Sequence, residues 1–140
     1  MDSFDLHLTP AEIGAIPNLT LAYTGDAVFE LLVRSRLCRL GKAPGELNAM
    51  ALSYVSAPAQ AEAVKRLFPI LTDEELAVFK RGRNTRVGSI PRGASPEQYH
   101  AATGLEALFG WLWLSGKHER LSQLFEAAFP SESQKSQRVF

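Results

Sequence analysis

The sequence predicts an all-α fold of about seven helices in a single domain, followed by a polar tail at 131–140 that we expect to be disordered. Apolar residues recur at helical spacing along most of the 140-residue chain, several segments open with capping motifs, and sustained period-2 alternation is absent. Hydrophobic residues make up 46% of the chain, enough for a core without disulfides. Fifteen basic and 15 acidic residues cancel, which argues against a protein that coats polyanions.

The N-terminal half contains four predicted helices, each with its own boundary signal. A capping box at Thr9–Glu12, with proline at the first helical position, opens a short first helix. Leucine and valine at helical spacing predict a second helix over about 18–40, which Gly41 ends. Proline in the first turn opens the third helix, about 44–54, and the fourth, about 57–68.

The C-terminal half contains three predicted helices and one long loop. Two further capping boxes open the fifth helix, about 72–81, and the sixth, about 96–115. A last helix covers about 117–129. Between the fifth and sixth helices, residues 82–94 include three glycines and a proline, which predicts a loop. Long loops in compact domains often carry function.

Several kinds of site are excluded by residue type. Cys38 is the only cysteine, so an internal disulfide is impossible, and the three histidines are scattered, which argues against a zinc site. The N-terminus lacks the basic and apolar regions of a signal peptide. The most apolar stretch, 104–114, is too short to cross a membrane. We therefore expect a cytoplasmic protein with no membrane partner.

Glu106 is the only charged residue in the apolar run 101–114. A helix that is apolar nearly all round is largely buried, and an ionised carboxylate there is unfavourable unless it is paired or binds a metal. The pattern allows a buried pair with an arginine, a narrow exposed stripe, or a metal ligand.

Asp26 lies in a segment that permits two interpretations. Thr24, Gly25 and Asp26 could each cap a helix that begins there. Alternatively the helix continues through them, and Gly25 marks the close approach of another backbone. Asp26 and Glu30 then share a helix face. Carboxylates from two helices could hold Mg²⁺, but no spacing in the sequence shows that Asp26 meets Glu106.

A third candidate is a basic segment without any acidic residue between Glu75 and Glu97. Cationic side chains on a flexible loop suit a phosphate backbone, whereas the alternative is an ordinary solvated loop. The candidate contacts are Lys80, Arg81, Arg83, Asn84, Arg86 and Arg92.

Three segments in this order resemble the motifs of a known family. LAYTGDAVFE at 21–30 resembles the signature helix of the ribonuclease III catalytic domain. RGRN at 81–84, followed by ATGLEALFG at 102–110, resembles its second catalytic segment. YVSA at 54–57, with Gln60, is similar to the Mini-ribonuclease III subfamily, whose members lack the double-stranded RNA-binding domain.

The resemblance covers about 18–129 and implies a ribonuclease III-like catalytic domain at 1–130. Such a domain would be an all-α homodimer that cleaves double-stranded RNA with Mg²⁺, for which Mn²⁺ can substitute, leaving 5′-phosphates and 3′-hydroxyls. The subfamily implies 23S ribosomal RNA precursor as substrate and a ribosomal protein as a further partner that presents it. By the same resemblance Asp26 and Glu106 are catalytic residues and metal ligands, and the basic segment binds RNA.

The sequence departs from the longer family members at two positions. Ala22 and Thr103 stand where those proteins have Glu and Asp, which puts the number of metal ions in doubt. Thr103, through its hydroxyl, and Glu30 are auxiliary candidates for the site. Two other functions stay open: a non-catalytic RNA-binding or ribosome-associated protein on the same fold, and a helical protein-interaction module.

Overall fold

The structure is a computed structural model that describes residues 3–5, 7–86 and 88–131. The predicted all-α fold is confirmed, since every regular element in those ranges is helical. No described helix is both long and apolar enough to span a bilayer. Apart from Ser131, the predicted tail lies outside the described residues. The α-helices are α1 (Pro10–Gly14), α2 (Asn18–Leu37), α3 (Pro44–Val55), α4 (Ala57–Leu67), α5 (Asp73–Arg83), α6 (Pro96–Leu114) and α7 (His118–Ala128).

Most boundaries lie where the sequence signals predict them. Thr9, Thr72 and Ser95 each form a complete capping box, in which the cap side chain and the residue three positions later exchange hydrogen bonds. Gly41 and Gly116 adopt positive φ, at 69° and 73°, where the chain turns after α2 and α6. The predicted second helix differs slightly, because its last three residues form a short 3-10 helix.

The predicted loop at 82–94 is wrong at its start, because α5 continues through Arg83. Gly82 lies inside α5, and the position requires glycine because α6 passes beside it: a Cβ built on Gly82 would lie 3.1 Å from the Cα of Gly104. This glycine serves tertiary packing and does not break the helix. Arg83 therefore lies at the end of α5 with Lys80 and Arg81, and not in the predicted loop.

Helix α6 is the centre of the fold, packed against α2, α4 and α5. Ten of its 19 residues are buried, which confirms the burial predicted from its apolar run. Phe109 of α6 is fully buried and packs against Phe29 of α2, with ring centroids 5.6 Å apart. Phe29 also contacts Phe125 and Phe129 at the other side of this aromatic cluster. The core thus holds α2 and α6 in fixed register.

The backbones of α2 and α6 touch where two glycines face each other. A Cβ built on Gly25 would lie 1.6 Å from the carbonyl oxygen of Glu106, and one on Gly110 would lie 2.0 Å from that of Leu21. The interpretation of Gly25 as a point of close approach is therefore confirmed. The N-cap interpretation of Asp26 is wrong, because this residue lies in the middle of α2.

A buried ion pair ties α5 to α7. Both carboxylate oxygens of Glu75 accept hydrogen bonds from Arg120 at 2.8 Å, and Arg120 also donates to the carbonyl of Ile70. Only 5% of the Glu75 side chain is exposed, and the Arg120 guanidinium holds the pKa of Glu75 below its usual value. Helix α7 is thereby fixed to the start of α5.

We expect Arg120→Met to lower the free energy of unfolding by about 2–3 kcal/mol, because it leaves Glu75 buried without its cation. Glu75 ionises more readily in the folded chain, so this stabilisation is present above its unfolded pKa of 4.5 and is lost as the pH falls below it. Urea unfolding at pH 7 and pH 3 measures both effects. Lys65→Met, in the exposed pair with Glu62, is the control and should change little. An equal loss in both variants at pH 7 would contradict the expectation.

Candidate active site

The contact between α2 and α6 brings Asp26 and Glu106 together. Asp26 directly follows Gly25, whose backbone lies against the carbonyl of Glu106. The two carboxyl groups lie within hydrogen-bonding reach of each other. Asp26 is exposed, whereas Glu106 is half-buried. Of the alternatives left open for Glu106, a buried pair with an arginine is wrong, since the group beside it is a second carboxyl group.

Burial and the second acid determine the protonation of this pair. Desolvation, then the hydrogen bond to Asp26 and the negative charge of Asp26, raise the pKa of Glu106 to about 8. At neutral pH Glu106 is therefore protonated when no cation is bound. A cation at this position would replace that proton.

The donor set fits a divalent ion of the Mg²⁺ type. Mg²⁺ prefers carboxylate oxygens, keeps several waters and often takes only one or two protein ligands. Within the described ranges, no group of three or more His, Cys, Asp and Glu side chains could hold a metal. The described part of the chain thus offers Asp26 and Glu106 as two ligands, and leaves the other positions to water or to phosphate oxygens.

The two auxiliary candidates, Glu30 and Thr103, form hydrogen bonds with groups other than Asp26 and Glu106. The Glu30 carboxylate accepts a hydrogen bond from Arg34 at 2.7 Å; the Arg34 side chain is exposed and that of Glu30 is half-buried. Thr103 is buried, and its hydroxyl donates to the carbonyl of Tyr99, one turn earlier in α6, at 3.0 Å. Ala22, at the other departure from the longer family members, is also buried.

The candidate cations form a basic segment, defined here as residues 80–92, that spans the end of α5 and the following loop. Lys80, Arg81, Arg86 and Arg92 are exposed. Arg83 is half-buried: its Nε donates to Asn84 Oδ1 at 3.1 Å, and its guanidinium lies over the Phe79 ring. The segment therefore presents four cations to solvent and one that is partly held in place.

Asn18 and Thr85 tie the basic segment to α2, and sequence reasoning missed both residues. Asn18 Nδ2 donates to Thr85 Oγ1 at 3.1 Å and also lies 3.5 Å from the carbonyl oxygen of Arg81. Thr85 Oγ1 donates to the same carbonyl at 2.6 Å. The only sequence signal was an asparagine at the start of a predicted helix, which by itself reads as an ordinary cap.

Comparison with known proteins identifies the family. Residues 19–117 match the family model described as the Ribonuclease III domain. A protein named Mini-ribonuclease 3 from Symbiobacterium thermophilum is 47% identical over 114 residues, which are 81% of this chain and 88% of that protein. The chain belongs to the Mini-ribonuclease 3 group of the ribonuclease III family.

Other members of the group agree over most of their length. Mini-ribonuclease 3 from Brevibacillus brevis is 45% identical over 123 residues, 84% of this chain and 92% of that protein. The one from Thermoanaerobacter sp. is 39% identical over 120 residues, 85% and 84% of the two chains. A crystal structure of a Fusobacterium nucleatum protein superposes with a TM-score of 0.77 at 30% identity, covering 82% of this chain and 93% of that one. The all-α ribonuclease III fold is therefore established.

The carboxyl pair of this ribonuclease III domain makes the free energy of unfolding depend on pH. The unfolded chain ionises Glu106 near pH 4.5, whereas the folded, metal-free chain does so near pH 8. Between these values the folded state holds one more proton, so stability falls as the pH rises, by up to about 1.4 kcal/mol per pH unit from this residue.

Urea unfolding in EDTA at several pH values between 5 and 8 measures this slope. Glu106→Gln removes the titrating group while keeping a hydrogen-bond donor toward Asp26, so the difference between the two proteins isolates Glu106. We expect the variant to gain stability relative to the parent as the pH rises. If the unfolding free energies of the two proteins change in parallel with pH, the pKa of Glu106 is not raised in the folded chain.

Proposed function

We propose that this protein is a metal-dependent endoribonuclease that hydrolyses double-stranded RNA and leaves 5′-phosphate and 3′-hydroxyl ends. The observation that carries the proposal is the Asp26–Glu106 pair at the contact between α2 and α6. Membership of the ribonuclease III family supports the same reaction. The activity would reside in one catalytic domain, residues 1–130, working in the cytoplasm.

Asp26 and Glu106 would hold Mg²⁺, or Mn²⁺ in its place, through their carboxylate oxygens. The bound ion would activate a water and stabilise the charge that develops on the phosphate and the leaving oxygen. Asp26 is exposed, so it lies on the side from which an RNA phosphate would arrive. Glu106, half-buried in α6, would have to give up its proton to hold the ion.

The basic segment would bind phosphates that flank the cleaved bond. The chain is neutral overall, so affinity for a polyanion must come from such local cations. A-form RNA is recognised through its shape, phosphates and 2′-hydroxyls, which requires no base-specific groups at this site.

We expect the double variant Arg86→Glu, Arg92→Glu to weaken RNA binding at least about tenfold and to reduce the salt dependence of binding by roughly two counterions. Both arginines are exposed, so stability should change little. Fluorescence anisotropy with a labelled duplex at several salt concentrations measures the slope. Lys42→Glu, at an exposed cation already paired with Glu46, is the control. An unchanged salt slope in the double variant would exclude the segment as the phosphate contact.

A homodimer is supported by the exposed apolar face of α2. Leu19, Tyr23 and Leu31 lie on this face at helical spacing, and Tyr23 is 81% exposed. A second copy of the chain could cover these residues in a twofold, self-complementary interface. Because Tyr23 lies less than one turn from Asp26, such a dimer would place both carboxyl pairs next to the interface, where each could face one strand of a duplex.

The group to which the chain belongs supports 23S ribosomal RNA precursor as the substrate. A ribosomal protein that folds the precursor would be a further partner. Incubation of a 23S precursor fragment with and without ribosomal proteins, followed by mapping of the new ends, tests both parts of this assignment.

The function itself is tested with a long end-labelled RNA duplex, the purified protein and Mg²⁺, Mn²⁺ or EDTA. We expect cutting of the duplex with either metal, none in EDTA, and no cutting of the separate strands. Binding without cutting under every metal would favour the alternative, a non-catalytic RNA-binding protein on the same fold. Neither binding nor cutting would favour a protein-interaction module.

A further inference from the structure

The hydrogen bonds among Asn18, Thr85 and Arg81 join two elements with different proposed roles. Asn18 is the first residue of α2, the helix that carries Asp26. Thr85 follows the C-cap of α5 and is the point where the basic segment leaves the helix. Asn18 and Thr85 are each half-buried, and their mutual bond spans 67 positions in the sequence. The contact therefore fixes the start of the loop against the start of α2.

This contact also sets the distance between the start of the loop and the Asp26–Glu106 pair. Asn18 precedes Asp26 by eight positions on one continuous helix, which corresponds to about 12 Å along its axis. The Arg81 carbonyl is one of the last carbonyls of α5, which lack a partner within the helix. The Thr85 hydroxyl donates a hydrogen bond to it. Arg83 and Arg86 flank this point on either side along the chain.

We propose that Asn18 and Thr85 are positioning residues for RNA binding, which hold the basic segment at a fixed distance from Asp26. The inference rests on the proposed function of the segment. Ordering the loop before RNA arrives removes part of the entropy that binding would otherwise lose. Asn18 and Thr85 touch no reacting group in this arrangement, so they act through the arginines and leave the chemical step alone.

The first test compares Asn18→Ala and Thr85→Val with the parent protein. We expect RNA affinity, measured by anisotropy in EDTA, to fall about three- to tenfold in each variant. The single-turnover cleavage rate at saturating RNA, and Mn²⁺ binding followed by electron paramagnetic resonance, should stay within about twofold. Thr85→Ser keeps the hydroxyl, so its RNA affinity should equal that of the parent. Thr20→Val, which removes an exposed hydroxyl from the same helix, is the matched control.

The second test distinguishes positioning from a merely structural role. In an Arg86→Ala background, Asn18→Ala should cost clearly less RNA affinity than it does in the parent, because the loop that it positions has lost a contact. Equal losses in both backgrounds would overturn the proposal, as would an Asn18→Ala protein with parental affinity. If variants of the loop arginines leave RNA affinity unchanged, the proposed function of the segment fails first, and the two failures are thereby distinguished.

Discussion

Asp26→Asn and Glu106→Gln should each reduce RNA cleavage by on the order of 10³-fold. Each substitution replaces one of the two carboxylates that meet at this site in the described part of the chain, and an amide is a much weaker ligand for Mg²⁺. The fold should survive, because Glu106 is already neutral at pH 7 and glutamine keeps a donor toward Asp26. Single-turnover cleavage of an RNA duplex in Mg²⁺ measures the loss, and thermal unfolding confirms that the variants are folded.

Glu62→Gln is the matched control for these variants, because it neutralises an exposed carboxylate whose partner is Lys65 on the surface. Its cleavage rate should equal that of the parent. If Asp26→Asn cuts RNA at the rate of this control, Asp26 is not a metal ligand and the catalytic assignment fails. If the variants lose RNA affinity but cleave bound RNA at the parental rate, the two acids serve in RNA recognition and not in the chemical step.

Gly25→Ala should destabilise the protein by about 3 kcal/mol or more and abolish cleavage. The new methyl group would lie 1.6 Å from the Glu106 carbonyl oxygen, an atom of the helix backbone that cannot rotate away. Helices α2 and α6 must then separate, which loosens the core and pulls Asp26 away from Glu106. Gly110→Ala, which meets the Leu21 carbonyl at 2.0 Å, should have a similar effect.

Urea unfolding measures the loss of stability, and RNA cleavage at a temperature where the variant is still folded measures the loss of function. Gly14→Ala is the control, because a Cβ at Gly14 meets nothing within 4 Å. That variant should be neutral or slightly more stable. A Gly25→Ala protein that unfolds at the parental urea concentration would show that the two helices are not in backbone contact.

Local features of this fold could be predicted from sequence because their causes are local. A capping box needs only a hydroxyl and a carboxylate or amide three residues apart, and all three predicted boxes form. Gly41 and Gly116 end their helices because glycine adopts positive φ at little cost. The helical order and the burial of α6 follow from the same short-range patterns.

Features that depend on tertiary contact could not be predicted in this way. Gly82 looks like the start of a loop, but the backbone of α6 makes glycine necessary within α5. Spacing gave no sign that Asp26 and Glu106 meet, and the pairing itself came only from resemblance to a family. The bond between Asn18 and Thr85 is the clearest case, since both are common surface residues.

The central position of α6 has a consequence for how activity is lost on heating. Glu106 belongs to the helix that contacts α2, α4 and α5, so its backbone amides can open only when the whole cooperative unit opens. Local fraying therefore leaves the carboxyl pair intact, and hydrogen exchange around Glu106 should report the global free energy of unfolding. On heating, the catalytic pair and the folded state are therefore lost in a single transition. The basic segment lies on the surface, so it can become mobile at a lower temperature and weaken RNA binding first.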